Sequence, residues 1–487
     1  MKRQDLSKLL IRGISVLLTF ALCFLLCACG NGDSSEIAIG DEDEYAGLGD
    51  LTASGPNGDQ NDSLNGGSNG GSGSSGKVNT NNDYLKKIPK KLQGTTVTFA
   101  VWGDENATEY AKVIKLFTKK TKINVKWVTY NEEKYISTIV EQNAAGKGPD
   151  IVINNITFPT SVEAVQELPA YFDLNDGFWD KRITEAMSVK GKNYFVNSYN
   201  SPFVNGGTFV FYNKQIFSNN NIKSPQDYVN EGKWTWENFE KCAKEAVQKG
   251  FDGGAVQPQL VWTTTGAGLI NYNPSTATFT SGLKNSSQKS DVLEALKFVA
   301  RLRKEGTISN QPLNNFTSGR MAMTIVNNYA MKYNGWFKGM TPSAVGVVNM
   351  PDTLNGKMAN YLGSNQRAYG IGKDAKNIEG AYYVLRFFLD IDNYSEANAN
   401  IFMNKNIEKF YKEDYLPRYK KNPISVEYMQ CPLSLVGSPW TQASAGDWSD
   451  LYTEKTPEEV EVALNARLNV VENAANKATE KLRSITK

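Results

Sequence analysis

The sequence predicts an α/β protein, and three observations lead there. Short β-rich runs alternate with helix-period stretches between residues 95 and 153, the helices between them are spaced to cover a mostly parallel sheet on both faces, and about 400 residues follow a long polar stretch near the N-terminus. A body of that length divides into two domains, or into two lobes sharing one chain.

Val97, Phe99 and Val101 alternate with Thr96, Thr98 and Ala100, a strand pattern that ends at Trp102-Gly103-Asp104-Glu105. Tyr110, Val113, Ile114 and Phe117 then fall at helical spacing, and Ile123-Asn124-Val125-Lys126-Trp127-Val128 reads as a second strand. Asn131 can cap the next helix, whose one face carries Tyr135, Ile136, Ile139 and Val140 and which stops before Gly146. Pro149-Asp150-Ile151-Val152-Ile153 is the third strand. In such sheets ligands bind beyond the carboxyl ends of the strands.

Ahead of this body, Lys2, Arg3, Lys8 and Arg12 precede an apolar run over 14–26, which is the anatomy of a secretory leader and too short for a spanning helix. Leu26-Cys27-Ala28-Cys29-Gly30 resembles the bacterial lipobox. That resemblance implies removal of residues 1–28, acylation of Cys29 (palmitate among the acyl chains) and a lipid anchor on the extracellular face of the cell membrane. Two or more acyl chains, at about 0.8 kcal/mol per buried CH2, hold a protein that one would let exchange. Residues 29–83 are the lipidated cysteine and a linker rich in Gly, Ser, Asn and Asp, which cannot bury enough apolar surface to offset chain entropy. As a flexible coil it reaches about 40 Å. Asp41-Glu42-Asp43-Glu44 within it lacks the spaced ligands and glycine of a calcium loop and reads as a solvated charge run.

Composition narrows the chemistry. The whole chain is formally +2, and the body without leader and linker carries a diffuse excess of cations with no basic run, so nucleic acid is not an expected partner although an anionic ligand is tolerated. The chain contains no histidine, which removes Ser-His-Asp and Cys-His nucleophiles, the HExxH zinc site and any histidine base. No Walker A sequence occurs, the GxGxxG spacing at 71–76 falls in the Gly/Ser linker and not between a strand and a helix as a phosphate loop would, and no metal or cofactor is expected. A carboxylate pair for glycoside hydrolysis stays open, because spacing in sequence cannot place one. Cys242 and Cys431 read as two unpaired small hydrophobes, with a disulfide as the alternative.

Five stretches carry a further resemblance: Gly94-Thr95-Thr96-Val97-Thr98-Phe99-Ala100-Val101-Trp102; Ala145-Gly146-Lys147-Gly148-Pro149-Asp150-Ile151-Val152; Phe211-Tyr212-Asn213-Lys214; Lys233-Trp234-Thr235-Trp236-Glu237-Asn238-Phe239; and Ser318-Gly319-Arg320-Met321-Ala322-Met323. In order and spacing they resemble the extracellular solute-binding proteins of sugar ABC importers, the group of the maltose-binding protein. The resemblance covers about 84–487 and weakens from 391 onward. It implies a type II periplasmic-binding-protein-like fold in which two lobes, each a mostly parallel sheet flanked by helices, are joined by three crossover segments. The crossings are expected near 204–209, 323–327 and 388–391. The N-terminal lobe is then 84–204 plus 325–390, and the C-terminal lobe 205–324 plus 391–487.

Sugar recognition needs flat aromatic faces for pyranose rings and planar amides or carboxylates for the hydroxyls. Trp102 or Asp104 follows the first strand, and Asn154 and Asn155 follow the third, where the family places ligand contacts. In the second lobe Trp262 and Thr264 lie in Trp-Thr-Thr-Thr-Gly-Ala-Gly, which reads as a loop facing a cleft. Trp234 and Trp236 open a helix capped by Thr235 and are assigned to packing. Asn327 and Tyr329 lie beyond a strand at 321–326, and Asn365 and Arg367 beyond a short one at 360–362. Arg367 grips a carboxylate if the ligand is an acidic sugar, and otherwise serves a structural ion pair. Trp440 is the expected stacking aromatic near the C-terminus. The function implied is capture of a carbohydrate, in the first instance an oligosaccharide, by a monomer whose lobes close on it, with delivery to the permease subunits of an ABC transporter and no bond broken. A carrier of another small solute and a tethered polysaccharide-degrading enzyme are the alternatives.

Overall fold

The computed structural model describes residues 82–486 apart from 103, 155, 203–206, 310–311, 333–334, 353, 355–366 and 439–445. Strand β1 (Thr96–Trp102), a helix over Asp104–Thr121, β2 (Asn124–Tyr130), a helix over Tyr135–Ala144 and β3 (Ile151–Asn154) follow one another as the periodicity predicts. β1 pairs in parallel with both β2 and β3. Val97, Phe99, Tyr110, Val113, Ile114 and Phe117 are all at most 2% exposed, so the strand and helix patterns bury the residues they were expected to bury. Phe99 stacks on Trp127 with ring centres 4.8 Å apart, and Phe388 of the helix Ile378–Phe388 meets Phe99 edge-on.

β4 (Thr208–Asn213) begins a second sheet, followed by a hairpin of β5 (Ile270–Asn273) and β6 (Thr278–Ser281) and then by β7 (Met323–Asn327) and β8 (Val345–Asn349). β4 is the central strand, flanked by β7 and β8. Both pairings are antiparallel, so this sheet departs from the mostly parallel one expected; its parallel neighbours are single bridges at Asp252 and Ala255. Thr235 caps the helix Trp236–Gln248, and Trp234 and Trp236 are buried as packing residues. Cys242 and Cys431 are free and buried.

The second and third crossings differ from expectation. β7 pairs with β4 from Thr208↔Asn327 to Tyr212↔Met323, and β8 pairs with the other edge of β4, so residues 323–349 stay in the second sheet. The chain rejoins the first sheet at β9 (Ala368–Ile371), which runs antiparallel to β3 with Asn154 opposite Ala368. Likewise Ile391–Glu396 is a helix that stays with the first sheet, where Tyr394 packs on Tyr110 and Lys120 pairs with Glu396. The chain next meets the second half at 402–404, where the Met403 N–H bonds the Met331 carbonyl and Asn404 Nδ2 the Pro342 carbonyl, each at 2.7 Å, ahead of Phe410, which lies edge-on to Phe209.

Asp150 fixes the return. Its Oδ2 accepts from the Thr98 backbone N and Oγ1, each at 2.7 Å, and its Oδ1 accepts from the N–H groups of Lys376 and Asn377 at the same distance. One buried carboxylate thus ties β1, β3 and the entry to the helix Ile378–Phe388 together. Among the described residues no helix is long and apolar enough to cross a membrane, and no group of His, Cys, Asp or Glu is placed to hold a metal ion.

Candidate ligand-binding site

The parallel strands β1 and β3 end at Trp102 and Asn154. Because β9 runs the other way, Arg367, the residue before it, comes to the same end of the sheet. Three further bonds hold it: Asn197 Nδ2 donates to the Arg367 carbonyl at 2.9 Å, and Val196 and Tyr369 exchange backbone bonds at 2.8 and 2.9 Å. The Arg367 guanidinium lies 5.7 Å from the centre of the half-buried Trp102 ring. Tyr135 meets the indole edge-on at 5.0 Å. The Tyr135 hydroxyl donates to the Ala100 carbonyl and accepts from the Ile153 N–H, both at 3.0 Å, so this ring is locked between β1 and β3. Burial pushes its ionisation well above the ordinary tyrosine range, and it acts as a neutral support. The result is an indole with a cation over its ring and a rigid tyrosine edge-on to it, at the end of the sheet where α/β folds bind ligands.

Asn154 does not share that face. It is fully buried; its Oδ1 accepts from Ser161 Oγ at 2.7 Å and Thr157 Oγ1 at 3.2 Å, and its Nδ2 points to Met187 Sδ. This side chain fastens the turn after β3, in which Ile156 takes the left-handed φ of 58°, an uncommon conformation for a β-branched residue and of the kind stored near functional sites.

Trp262 and Thr264 are corrected more strongly. Pro258 starts a short helix over Pro258–Trp262, so Trp262 ends a helix and has no exposed surface, where the sequence suggested a loop facing a cleft. Its Nε1 donates to Glu427 Oε2 at 3.1 Å. Glu427 also accepts from the N–H groups of Leu269 (2.8 Å), Ile270 (3.3 Å) and Met429 (3.2 Å). Burial nevertheless pushes its carboxyl up to about 7. A Cβ on Gly268 would stand 3.0 Å from Glu427 Oε2, so a larger residue there would crowd the carboxylate. Thr264 is buried and its hydroxyl donates to the Val261 carbonyl at 2.6 Å, closing the turn on itself. Both residues face the interior of the second half.

Asn327 ends β7, and its Oδ1 accepts from the Tyr329 N–H at 3.0 Å, starting the turn over Asn328–Met331. The Asn328 N–H bonds the Gly207 carbonyl ahead of β4, so this end of the second sheet is where the chain arrives from the first. Half-buried Tyr329 lies 5.7 Å from the Trp336 ring and 4.9 Å from the Lys332 ammonium, which donates to the Tyr110 hydroxyl at 2.6 Å. The structure therefore brings together Trp102 with Arg367, and Asn327 with Tyr329. The Asp104 side chain, Asn155, Asn365, Trp440 and Cys29 lie outside what is described. Sequence reasoning passed over Tyr135, Trp336 and Lys332. Lys332 did leave a signal, as a lone cation five residues past Asn327 in a largely apolar run.

The sequence profile of bacterial extracellular solute-binding proteins matches residues 112–398. The chain belongs to that family. Among solved structures, this solute-binding protein is similar to the galacto-N-biose/lacto-N-biose I-binding protein of the ABC transporter from Bifidobacterium longum, in complex with lacto-N-biose (TM-score 0.54, 13% identity, 80% of this chain and 98% of that one). An ABC transporter solute-binding protein from Thermotoga lettingae bound with α-D-tagatose matches at a TM-score of 0.50 and 16% identity, over 80% of this chain and 100% of that one. At such identities the likeness shows the fold, which is the two-lobed α/β fold of type II periplasmic binding proteins. A search of curated proteins gave no match.

Proposed function

We propose that this solute-binding protein is a lipid-anchored carrier on the outer face of the cell that captures a carbohydrate between its lobes and passes it to an ABC permease. The observation that carries the reading is the aromatic face of Trp102, backed by Tyr135 and flanked by Arg367, at the carboxyl edge of the first sheet. An indole face accepts the axial hydrogens of a sugar ring, and a planar cation beside it meets hydroxyls or a carboxylate in pairs. Relatives of the same fold are recorded with lacto-N-biose and tagatose, which supports a carbohydrate for this chain. The sheet pairings and the bonds of Met403 and Asn404 support a first lobe of 84–202 with 368–396, and a second of 208–349 with 402–486. The ligand would lie against Trp102, Arg367, Asn327 and Tyr329, with Asp104, Asn155, Asn365 and Trp440 on adjoining segments. Ligand that touches both lobes favours the closed arrangement, and release to the permease needs no chemistry on the sugar. A glycan-array screen of the full chain tests this: saturable binding of a saccharide with no conversion over hours is expected. Release of smaller saccharides, lost on substitution of one Asp or Glu, would replace the carrier with a hydrolase.

A further inference from the structure

The two halves hold each other directly through residues that do not belong to the chain crossings. Phe158, four residues past the carboxyl end of β3, inserts among rings of the other half, with its centre 5.1 Å from Tyr272, 5.9 Å from Phe279 and 6.1 Å from Tyr428. Around this cluster the Tyr272 hydroxyl donates to the Ser188 carbonyl at 2.7 Å, and the Tyr428 hydroxyl to the Ala186 carbonyl at 2.8 Å. The Lys190 N–H donates to the Pro274 carbonyl at 2.8 Å, and Lys481 pairs with Glu163 at 2.7 Å. Residues 158–190 belong with the first sheet, since Asn143 on the helix after β2 bonds the Ala164 carbonyl and Asn154 fastens the turn to Met187. Tyr272 and Phe279 stand on the β5–β6 hairpin, whose Phe279 N–H bonds Thr479 of the C-terminal helix that also carries Lys481.

From this we infer that Phe158, Tyr272 and Tyr428 form a latch between the lobes that holds the protein largely closed before any sugar arrives. The inference rests on the two-lobed carrier reading and adds what sets its equilibrium. Buried aromatic contact and hydroxyl–carbonyl bonds between lobes exist only when the lobes are together, so they stabilise that state whatever the ligand. Apparent affinity then rises with the closed fraction, since ligand need not supply the closing free energy itself.

The Lys190 amide reads the latch, because its acceptor Pro274 lies on the other half. Hydrogen exchange and small-angle scattering are measured on the full mature chain without added sugar, for the native protein and for the double variant Tyr272→Phe/Tyr428→Phe. Losing two hydroxyl bonds should speed Lys190 exchange by roughly tenfold or more and raise the radius of gyration. The Phe209 and Val210 amides, inside the second sheet, should keep their protection and report an intact fold. The charge pair supplies a second variant: Lys481→Glu should speed Lys190 exchange, and Glu163→Lys with Lys481→Glu should slow it again. Lys190 exchanging at an unprotected rate in the native protein, or unchanged exchange and radius in the double variant, would overturn the latch. An empty glycan array with Lys190 still protected would strike the proposed function alone.

Discussion

Trp102 and Trp262 are both tryptophans at the end of an element, yet their surroundings give them opposite roles. The half-buried Trp102 keeps surface to offer, so Trp102→Ala should cost about 2–4 kcal/mol of sugar affinity with the melting temperature nearly unchanged. Trp262 has none to offer. Trp262→Ala should instead lower stability by about 3–5 kcal/mol in chemical denaturation, because it opens a cavity and takes a donor from Glu427. Finding the affinity loss at Trp262 and the stability loss at Trp102 would reverse the assignment. Glu427 carries a pH dependence of its own. Its carboxyl titrates near 7 in the folded protein against 4.5 unfolded, so the folded state binds the extra proton between those values. That contribution is complete below about pH 4.5 and is lost as pH rises through 7, by up to about 3 kcal/mol. Glu427→Gln, uncharged throughout, should flatten the fall of melting temperature between pH 5 and 8 from a lower starting point.

At the scale of elements, the staple at Asp150 matters most. Removing a buried carboxylate that takes four bonds leaves the N–H groups of Lys376, Asn377 and Thr98 short of an acceptor. Asp150→Ala should therefore cost about 3 kcal/mol or more in urea unfolding, whereas Thr235→Ala, which removes one helix cap, should cost about 1 kcal/mol. The strands and helices of the first sheet were legible because period and burial agree there residue by residue, from Val97 to Ile153. Trp262 was not legible. The Trp-Thr-Thr-Thr-Gly tract has the composition of a loop, and only the proline at Pro258 hints at the short helix that turns the indole inward. Asn154 failed for a related reason: an amide at a strand end serves ligand or turn equally well, and what decides is Ser161 and Thr157, which fold back on it from beyond the strand.

For the whole molecule, family order implied the two-lobed α/β fold, but the sequence could not say which strand crosses between the lobes. β7 reads as a strand wherever it lies, and only its ladder pairing with β4 assigns it to the second sheet. The anchor can be tested at this scale too. Cys29→Ser should release protein to the medium or leave the leader uncut, and deleting residues 30–83 should leave sugar affinity within about tenfold, or 1.4 kcal/mol. β9 carries one more consequence. Its register and the clasp of Val196 and Asn197 fix position 367 on the carboxyl edge of the first sheet. Replacing the side chain at 367 would therefore change what stands over Trp102 while the peg that carries it, and the sheet that holds the peg, are left untouched.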